Sequence, residues 1–573
     1  MAIDLTPEQR QLGQENYARV ADGMTRRRFL KGAAAAGGAM AIGVPAMYFG
    51  YQTVHGKPVK AALIGGGDEG GVLVGEHNPD FIKFIAVCDI RPHNQKRIIE
   101  GDPKVALRKG FRKMYGNSEA DDLAKKHMYS DFREMLKNEK DIEMVVIALP
   151  LHLHAPVAIE CMKFGKERGK PVHVLCEKLM ARTVGDCKQM IKTAKDTGSI
   201  LSIGHQRHYS LLYANARDIL EGGVLGDIKH IRALWHRNFS WPYSAEKTPW
   251  PAPWTKEDME LAEGFPPPML RDGWYPPIYK KDSEALNDPE KLHKYDFKSM
   301  QELVRWRLFD RTGGGLMAEL GSHQLDACSI FLGKVHPLAV TAIGEQSFFD
   351  RLGKGDKNPR EADDHVFATF EFPGKNHPHG PNKGSDNDDI VVVTYSSIST
   401  NGFEQYGECV MGTRGTMIVE AEQKVFLYNE RDPAKKGGDP KATAVTVTTG
   451  DGKKPALESG GTWGPAASTT AGSSAGPAGS GTGPVSRGYR EEMEDFAFCV
   501  RTWDPKLGYA KDNAGAYRQR LPRCHGEVAM ADAIIALTSN LAMRNRKEPR
   551  IEFDPKWFDA AEMEATPEKK HSA

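Results

Sequence analysis

The sequence predicts an α/β protein of two domains: a doubly wound parallel sheet, then an α+β domain with a mostly antiparallel open sheet. Three observations predict this fold class. Short apolar runs alternate with helix-like segments up to about residue 204, a glycine-rich turn follows the first run, and alternating strand patterns dominate after Tyr209. Continuous apolar runs are typical of parallel strands buried on both faces, whereas alternation is typical of antiparallel strands with one solvated face.

The apolar runs also set the domain boundaries. The runs predicted as parallel strands are 61–64, 84–89, 144–149, 172–176 and 200–203, and those predicted as mostly antiparallel strands are 228–238, 339–346, 366–372, 390–397 and 415–428. We assign 57–204 to the first domain, and 205–433 with 489–560 to the second. Residues 434–488 are rich in Gly, Ser, Thr, Ala and Pro, and they are predicted to form a flexible insertion because they bury too little apolar surface to become ordered.

The N-terminal region has the pattern of an export signal. Residues 25–31, TRRRFLK, precede an uncharged Ala- and Gly-rich stretch with small residues at 44–46, where a peptidase could cut. This order of regions is of the twin-arginine type, so residues 24–51 are assigned to the signal and 1–23 to a polar leader without a fold. It predicts use of the twin-arginine export machinery and a periplasmic or membrane-anchored protein outside the cytoplasm. The alternative is an amphipathic or membrane helix with a basic flank.

Composition excludes several classes of partner. The 573 residues carry a formal net charge of +1, so no basic excess indicates a nucleic-acid partner. Eight cysteines lie far apart without a CxxC pair, mostly in apolar segments. They are predicted to be buried thiols rather than disulfides or zinc ligands, and no metal site is predicted.

The turn after the first apolar run, GGGDEG, fits the pattern G-x-G-x-x-G directly after a predicted strand. Gly65 permits a tight turn, Gly67 lets the backbone approach a pyrophosphate, and Gly70 allows close packing of the next helix. Asp68 and Glu69 belong to the same turn. The helix that follows directs its free N–H groups at phosphates, so this region is predicted to be a Rossmann domain that binds a dinucleotide.

An acidic residue in the expected position supports this interpretation. Asp89 stands 24 residues after Gly65, at the end of the second apolar run, where a carboxylate can accept hydrogen bonds from both ribose hydroxyls. A carboxylate there repels a 2′-phosphate, which favours NAD as the cofactor. Arg91 could instead meet a phosphate, so NADP stays possible.

Two further loops are expected at the same edge of the sheet. Pro150 and His154 follow the third predicted strand, and Glu177 and Lys178 follow the next. Because ligands of such sheets bind beyond the carboxyl ends of the strands, all four are assigned to the cofactor site. His154 fits a brace for a helix better than a chemical role. A charged pair ending a buried strand is costly unless it is paired or functional, so Glu177 and Lys178 form either a structural ion pair or part of the site.

Taken together and in this order, these motifs resemble the glucose-fructose oxidoreductase, inositol dehydrogenase and rhizopine-catabolism superfamily, Gfo/Idh/MocA. The resemblance covers 57–333 well and 490–555 loosely. Its marks are the turn at 65–70, CDIR at 88–91, LP at 149–150 with His154, EK at 177–178, GHQR at 204–207 and GGGLMAELGSHQLD at 313–326. It implies an oxidoreductase fold and activity, and it adds Gln206 to the cofactor-binding residues.

The resemblance also implies a catalytic group of Lys178, Glu319 and His323. Two residues depart from the family pattern, since the family commonly has Pro where this chain has Leu179 and Asp where it has Glu319. The longer acid could shift the site or lose the role.

The residues themselves point the same way. Glu319, His323 and Asp326 have the spacing i, i+4 and i+7, which predicts one polar face on an apolar helix. A buried histidine satisfied by neighbouring carboxylates is the alternative. We expect His323, with a pKa near the working pH, to accept the proton of a sugar hydroxyl, while Lys178 stabilises the alkoxide and Glu319 orients the pair.

Aromatic residues suggest the substrate class. Five of the nine tryptophans lie between 235 and 274, and flat aromatic faces stack on sugar rings. We assign Trp235, Trp241, Arg207 and Asp326 to a carbohydrate site, and the neighbouring arginines 305 and 307 could contact hydroxyls or an acidic group. The alternative is a loop that packs on itself or on another subunit. A homo-oligomer through the C-terminal sheet is expected.

Three functions fit this pattern. The first is an NAD(P)-dependent oxidoreductase acting on a sugar or polyol with a tightly held cofactor, because free NAD is scarce outside the cytoplasm. The second is a redox-neutral glycosidase or lyase that oxidises its sugar transiently. The third is a sugar- or nucleotide-binding protein without catalysis.

Overall fold

The computed structural model describes residues 5–35, 44–52, 57–238, 251–262, 272–349, 359–429, 447–448, 456–457 and 487–571. Three predicted features lie outside these ranges: the residue Trp241, a part of the predicted signal at 24–51, and most of the predicted insertion at 434–488. Within them, no helix is both long enough and apolar enough to cross a membrane. The predicted α/β fold class with two domains is confirmed.

The N-terminal region contains two helices, α1 (Pro7–Ala35) and α2 (Val44–Phe49). The first half of α1 packs on the edge of the second domain, where Asn16 Nδ2 donates to the carbonyl oxygen of Leu427 at 3.1 Å. Gly13 permits this approach, because a Cβ there would lie 2.4 Å from the hydroxyl oxygen of Tyr428. The prediction of a leader without a fold at 1–23 is therefore wrong, because Gly13, Asn16, Val20 and Ala21 of α1 are buried.

The first domain is a six-stranded parallel sheet in the order β3-β2-β1-β4-β5-β6. Its strands are β1 (Val59–Ile64), β2 (Ile82–Cys88), β3 (Met128–Tyr129), β4 (Met144–Ile147), β5 (His173–Glu177) and β6 (Leu201–Gly204). Its helices are α3 (Asp68–Glu76), α4 (Pro92–Glu100), α5 (Gly110–Tyr115), α6 (Asn117–Lys126), α7 (Phe132–Asn138), α8 (His154–Glu167) and α9 (Val184–Thr197). The strand order reverses between β1 and β4, and ligands of such sheets bind at that point.

The second domain is built on an eight-stranded sheet in the order β13-β12-β11-β7-β10-β9-β8-β16. Its strands are β7 (Ile228–His236), β8 (Ala339–Glu345), β9 (His365–Pro373), β10 (Ile390–Ile398), β11 (Tyr406–Gly412), β12 (Gly415–Glu420), β13 (Lys424–Asn429) and β16 (Arg550–Glu552), while β14 (Val447–Thr448) and β15 (Ala456–Leu457) form a separate ribbon. Only β7 and β10 pair in parallel, so the mostly antiparallel sheet is confirmed.

The remaining helices cover this sheet and connect the two domains. They are α10 (Leu211–Glu221), α11 (Lys280–Leu286), α12 (Pro289–Lys294), α13 (Met300–Val304), α14 (Ser322–Phe331), α15 (Tyr489–Thr502), α16 (Gly526–Arg544) and α17 (Pro567–His571). Met493, Phe496 and Val500 of α15 are buried with β1 and β2 in the core of the first domain. The assignment of 489–560 to the second domain is thus wrong for α15, because an apolar helix face does not reveal which sheet it covers.

All eight cysteines are buried free thiols, as predicted. Burial raises the pKa of Cys161 well above its usual value, so this thiol stays protonated.

Candidate active site

A cavity of about 600 Å³ lies at the carboxyl ends of β1, β2, β4 and β5. Its volume is within the range of roughly 300–1,000 Å³ that small-molecule and cofactor sites occupy. The predicted residues that line it are Gly65, Gly67, Asp68, Glu69, Asp89, Arg91, Pro150, Glu177, Lys178 and Glu319. The structure therefore brings the glycine turn, the end of β2 and two of the three predicted catalytic residues to one space.

Each glycine of the turn has a distinct structural reason. Gly65 has a φ of +104°, and a Cβ there would lie 2.2 Å from the carbonyl oxygen of Ala148. A Cβ on Gly70 would lie 2.0 Å from the carbonyl oxygen of Gly65, so α3 could not pack against the turn. A Cβ on Gly67 would meet no atom within 4 Å, so its backbone is open to a ligand.

This difference gives a prediction that separates binding from folding. Gly67→Ala should fold with an unchanged melting temperature but lose affinity for the dinucleotide, because the new methyl group occupies the space of the pyrophosphate. Gly70→Ala should lose affinity and also stability, since the clash is with backbone atoms. Calorimetry of both variants and titration with NAD check this, and equal melting temperatures for the two would contradict it.

Asp89 joins the end of β2 to the glycine turn. Its Oδ2 accepts a hydrogen bond from the Gly66 N–H at 2.7 Å, and its Oδ1 accepts one from the Arg91 N–H at 2.8 Å. Oδ2 also accepts from Asn94 Nδ2 at 3.1 Å. A carboxylate has about four acceptor positions, so capacity for about one ribose hydroxyl remains. The guanidinium of Arg91 donates from Nε to the buried Asp282 of α11 at 2.8 Å. Arg91 is thus already paired with a carboxylate, which favours NAD over NADP.

The negative charge of the acid at the start of α3 is also balanced by cations. Asp68 forms ion pairs with Arg97 at 2.9 Å and with Arg108 at 3.2 Å. Two cations therefore stand beside the helix N-terminus where a pyrophosphate would bind, and they offset the charge of Asp68. Sequence analysis missed both arginines, because nothing in their local sequence relates them to the turn.

At the other end of the cavity lie Lys178 and Glu319. Lys178 Nζ donates to the backbone carbonyl oxygen of Glu319 at 3.1 Å, and Glu319 Oε2 accepts from Arg307 Nε at 2.8 Å. Burial alone would raise the pKa of Glu319, but the charges of Arg307 and Lys178 outweigh it and lower the pKa to about 2. Glu319 is therefore a permanent carboxylate that orients cations and does not donate a proton at neutral pH.

His323 follows Glu319 by one helical turn. It is 8% exposed, and its Nδ1 has no hydrogen-bond partner among the residues that the structure describes. Burial, together with the charges of Lys178 and Arg207, lowers the pKa of His323 well below its usual value. The expectation of a pKa near the working pH is thus wrong, and the imidazole is neutral and able to accept a proton.

Comparison with known proteins agrees with this geometry. Residues 59–205 match the family model "Oxidoreductase family, NAD-binding Rossmann fold", and residues 292–418 match the model "GFO/IDH/MocA C-terminal domain". Both matched segments belong to the Gfo/Idh/MocA family. The first domain is accordingly an NAD-binding Rossmann domain.

Curated Gfo/Idh/MocA-like relatives match part of the chain. The inositol 2-dehydrogenase of Salmonella paratyphi B is 30% identical over 146 residues, which are 25% of this chain and 35% of that protein. A "Glycosyl hydrolase family 109 protein" of Stenotrophomonas maltophilia is 29% identical over 212 residues, 37% of this chain and 42% of its own length. The chain thus spans less than half the length of these relatives.

A solved structure agrees with the fold. The inositol dehydrogenase homolog complexed with NAD+ from Azotobacter vinelandii superposes with a TM-score of 0.50 at 13% identity, over 87% of this chain and 98% of that chain.

His154 braces the loops of this site rather than lining the cavity. Its Nδ1 lies 2.8 Å from the Leu179 carbonyl oxygen, and its Nε2 lies 2.8 Å from that of Leu149. The ring therefore connects the loops after β4 and β5, which is the bracing role expected from the sequence. The peptide bond between Lys178 and Leu179 is cis.

Glu177 is buried at the end of β5. Its Oε2 accepts from the Lys178 N–H at 3.2 Å, and a Cβ on Gly204 would lie 2.7 Å from its Oε1. Gly204 of the family-like GHQR motif therefore makes room for this carboxylate, and Glu177 supports the backbone of Lys178.

Besides Gly70, His154 and His323, four predicted residues do not line the cavity. Arg207 is buried against Glu422 and Glu408, at 2.6 and 3.0 Å. Its substrate role is therefore corrected to a structural one, since a buried cation needs carboxylate partners. Gln206 and Trp235 are also buried, the latter stacked on Tyr406 with ring centroids 4.6 Å apart, and neither lines the cavity.

Asp326 is the fourth of these residues. It accepts from His208 Nε2 at 2.8 Å and from Lys334 Nζ at 3.1 Å, away from the cavity. A π-helical turn at Met317–Gly321 precedes α14 and changes the phase of His323 and Asp326 relative to Glu319. The predicted single polar face of three residues is therefore wrong, because only Glu319 lines the cavity.

The tryptophan-rich segment that follows β7 is described in part. Its described residues lie at the end of the cavity near Asp89. Tyr279 stacks on the ring of His93 at 3.6 Å, and Lys96 contacts the face of Trp254 at 5.3 Å. His93 and Lys96 belong to α4, which follows the β2 end that carries Asp89. These aromatics therefore pack on α4 of the Rossmann domain, which neither the predicted carbohydrate site nor the alternative of a loop packed on itself or on another subunit had indicated.

Arg307 gives a further prediction. Replacing it with Ala should raise the pKa of Glu319, because burial then outweighs the remaining charge, and should lower kcat/KM by up to about 10²-fold through misplacement. Arg307→Lys should restore part of the loss, and the exposed Arg518→Ala is the matched control. A pH profile of kcat/KM measures the shift. If the acid limb of Arg307→Ala lies at the same pH as that of wild type, Arg307 does not control the ionisation of Glu319.

Proposed function

We propose that this protein is an NAD-dependent oxidoreductase that transfers hydride between a tightly held nicotinamide and a hydroxyl or carbonyl group of a sugar or polyol. The observation that supports this most is the continuity of one cavity from the glycine turn and Asp89 to Lys178 and Glu319. A dinucleotide held at one end would present its nicotinamide at the other. The inositol 2-dehydrogenase and levoglucosan dehydrogenase relatives support this substrate class.

The chain's own residues supply positioning and proton transfer. When bound, NAD supplies the hydride acceptor. The open backbone at Gly67 and the remaining acceptor position of Asp89 fit its pyrophosphate and ribose. Lys178 has N–H groups left beyond its bond to Glu319, and these donate to the substrate oxygen. His323 accepts the hydroxyl proton because its ring is neutral, and Arg307 holds Glu319 in place.

A redox-neutral glycosidase or lyase is the second candidate. The glycosyl hydrolase family 109 relative and the 2,7-anhydro-N-acetylneuraminate hydratase relative favour it. Oxidation at one sugar carbon acidifies the neighbouring C–H, elimination breaks the glycosidic bond, and the hydride returns to the sugar. Release of the phenol from an aryl glycoside without any added acceptor would support this candidate over the first.

Export and assembly are part of the proposal. The twin-arginine sequence at 25–31 supports export of the folded protein with its cofactor to the periplasmic side. The second sheet carries exposed apolar side chains in two separate rows, Ile343 opposite Phe367 and Val392 in line with Met411, and these support a homo-oligomer through this sheet.

Nucleotide analysis of the purified protein tests the function. We expect denaturation to release NAD in an amount close to one per chain, and a panel of sugars and polyols to generate the NADH absorbance in the intact protein. A preparation that contains no nucleotide and has no affinity for one would contradict the proposal. Retained nucleotide that no sugar reduces would favour a binding protein.

A further inference from the structure

The outer face of the second sheet has an apolar cluster at its β13 edge. Its members come from β7, β11, β12 and β13, and each is at most 7% exposed: Leu234, Cys409, Ile418, Phe426 and Tyr428. Among the residues that the structure describes, no other sheet covers this face. The cluster is buried because Leu5 and the first half of α1 pack on it.

Polar contacts fix α1 in this position. The Tyr428 hydroxyl donates to the carbonyl oxygen of Gln9 at 3.0 Å, and Arg10 forms an ion pair with Glu420 at 3.3 Å. The buried Asn16 side chain donates to the β13 backbone, as described above. Residues 5–21 therefore form a specific contact with the folded body, and they precede the twin-arginine sequence in the chain.

The C-terminal end of the predicted signal is attached in the same way. Phe49 and Tyr51 are buried, and the Tyr48 hydroxyl donates to Asp218 Oδ2 at 2.6 Å. The Tyr51 hydroxyl donates to Glu494 Oε2 at 2.8 Å, and Arg520 donates to the carbonyl oxygens of residues 49 and 50 at 2.9 and 2.7 Å.

We propose that the protein keeps its N-terminal segment, with α1 as the permanent cover of the β13-edge cluster and α2 closing the 44–46 region to a peptidase. Proteases cut exposed, locally open chain. Ala46, beside the predicted cut, is 6% exposed and lies in a helix packed on the body. The part of this inference that concerns export rests on the proposed localisation, whereas the packing does not.

Limited proteolysis of the purified full chain tests the packing without reference to export. Elastase cuts after small residues, and mass spectrometry measures the fraction cut after Ala46. We expect wild type and the exposed control Gln14→Ala to be cut at least roughly tenfold more slowly than Phe49→Ala, because cleavage follows the opening of α2. Tyr48→Phe loses only the hydroxyl bonded to Asp218, and its cleavage rate should lie between those of wild type and Phe49→Ala. It takes the place of Phe49→Ala in the test if Phe49→Ala does not fold. Equal rates in all four proteins would overturn the proposal.

Two further measurements complete the test. Protein collected outside the cytoplasm should have an intact mass that includes residues 5–21, and a mature chain beginning after residue 21 would overturn the inference. A protein that is not exported would contradict the proposed localisation instead, and the proteolysis result would then decide the packing. Deleting residues 1–21 should uncover the cluster and increase the fluorescence of an apolar dye at least severalfold, and an unchanged signal would show that α1 is not its cover.

Discussion

Replacing Lys178 with Met is expected to reduce kcat by roughly 10²- to 10³-fold, the effect of removing one donor to a developing oxyanion. Lys178 lies on the cavity at the end of β5, and its ammonium group has the Glu319 carbonyl oxygen as a hydrogen-bond partner. Met keeps most of the side-chain volume and removes only the charge and the N–H donors. The glycine turn and Asp89 lie at the other end of the cavity, so the amount of bound nucleotide should not change.

Single-turnover reduction of the bound cofactor measures this effect, and nucleotide released on denaturation measures occupancy. Lys163→Met is a matched control, because Lys163 is exposed on α8 and does not line the cavity. Near-normal turnover in Lys178→Met, or loss of the nucleotide, would remove Lys178 from the proposed role.

The parts of this molecule that sequence could predict depend on local patterns. The apolar runs coincide with β1, β2, β4, β5 and β6, because a strand buried on both faces has to be apolar throughout. The glycine turn was equally predictable, because its glycine spacing directly after an apolar run is a local pattern. Asp89 follows from its position at the end of β2, so the cofactor half of the site was largely predictable.

What sequence could not predict depends on partners that are distant in the chain. Arg207 was assigned to substrate, yet its carboxylate partners stand more than 200 residues away. Asp326 was placed on one face with Glu319, because a π-helical turn has no sequence signature. The roles of Gly13 and Asn16 in the predicted polar leader could not be recognised, because both residues contact strand β13, which is distant in the sequence.

The electrostatics of the reactive end could not be predicted either. The sequence indicates which groups are present, but their ionisation depends on burial and on the neighbours that the fold supplies. Arg307 determines that Glu319 stays ionised, and it belongs to a segment outside α14. Lys178 makes His323 harder to protonate, although the two residues are on different domains. The roles of acid and base therefore emerge only from the packed structure.

Replacing His323 with Asn should lower kcat by roughly 10²- to 10⁴-fold, the range for removing a general base, while nucleotide stays bound. The pH dependence distinguishes this role from a structural one. Because the pKa of His323 is lowered, wild-type kcat/KM should stay level as pH falls from 8 through 6.5, and should decline only further down as the ring is protonated. An acid limb centred near 6.5 would contradict a buried, neutral base.

Stability gives an independent measurement of the same lowered pKa. Below about pH 6.5 the unfolded chain binds a proton at this histidine while the folded protein does not, so wild type should lose stability as pH falls, by at most about 1.4 kcal/mol per pH unit from this group. His323→Asn lacks that loss, and its unfolding free energy should fall less steeply between pH 6.5 and 5. His293→Asn, which alters an exposed histidine, should retain the wild-type slope. A shallower slope together with lost turnover would identify His323 as both desolvated and catalytic, because an exposed or merely structural histidine would not change both.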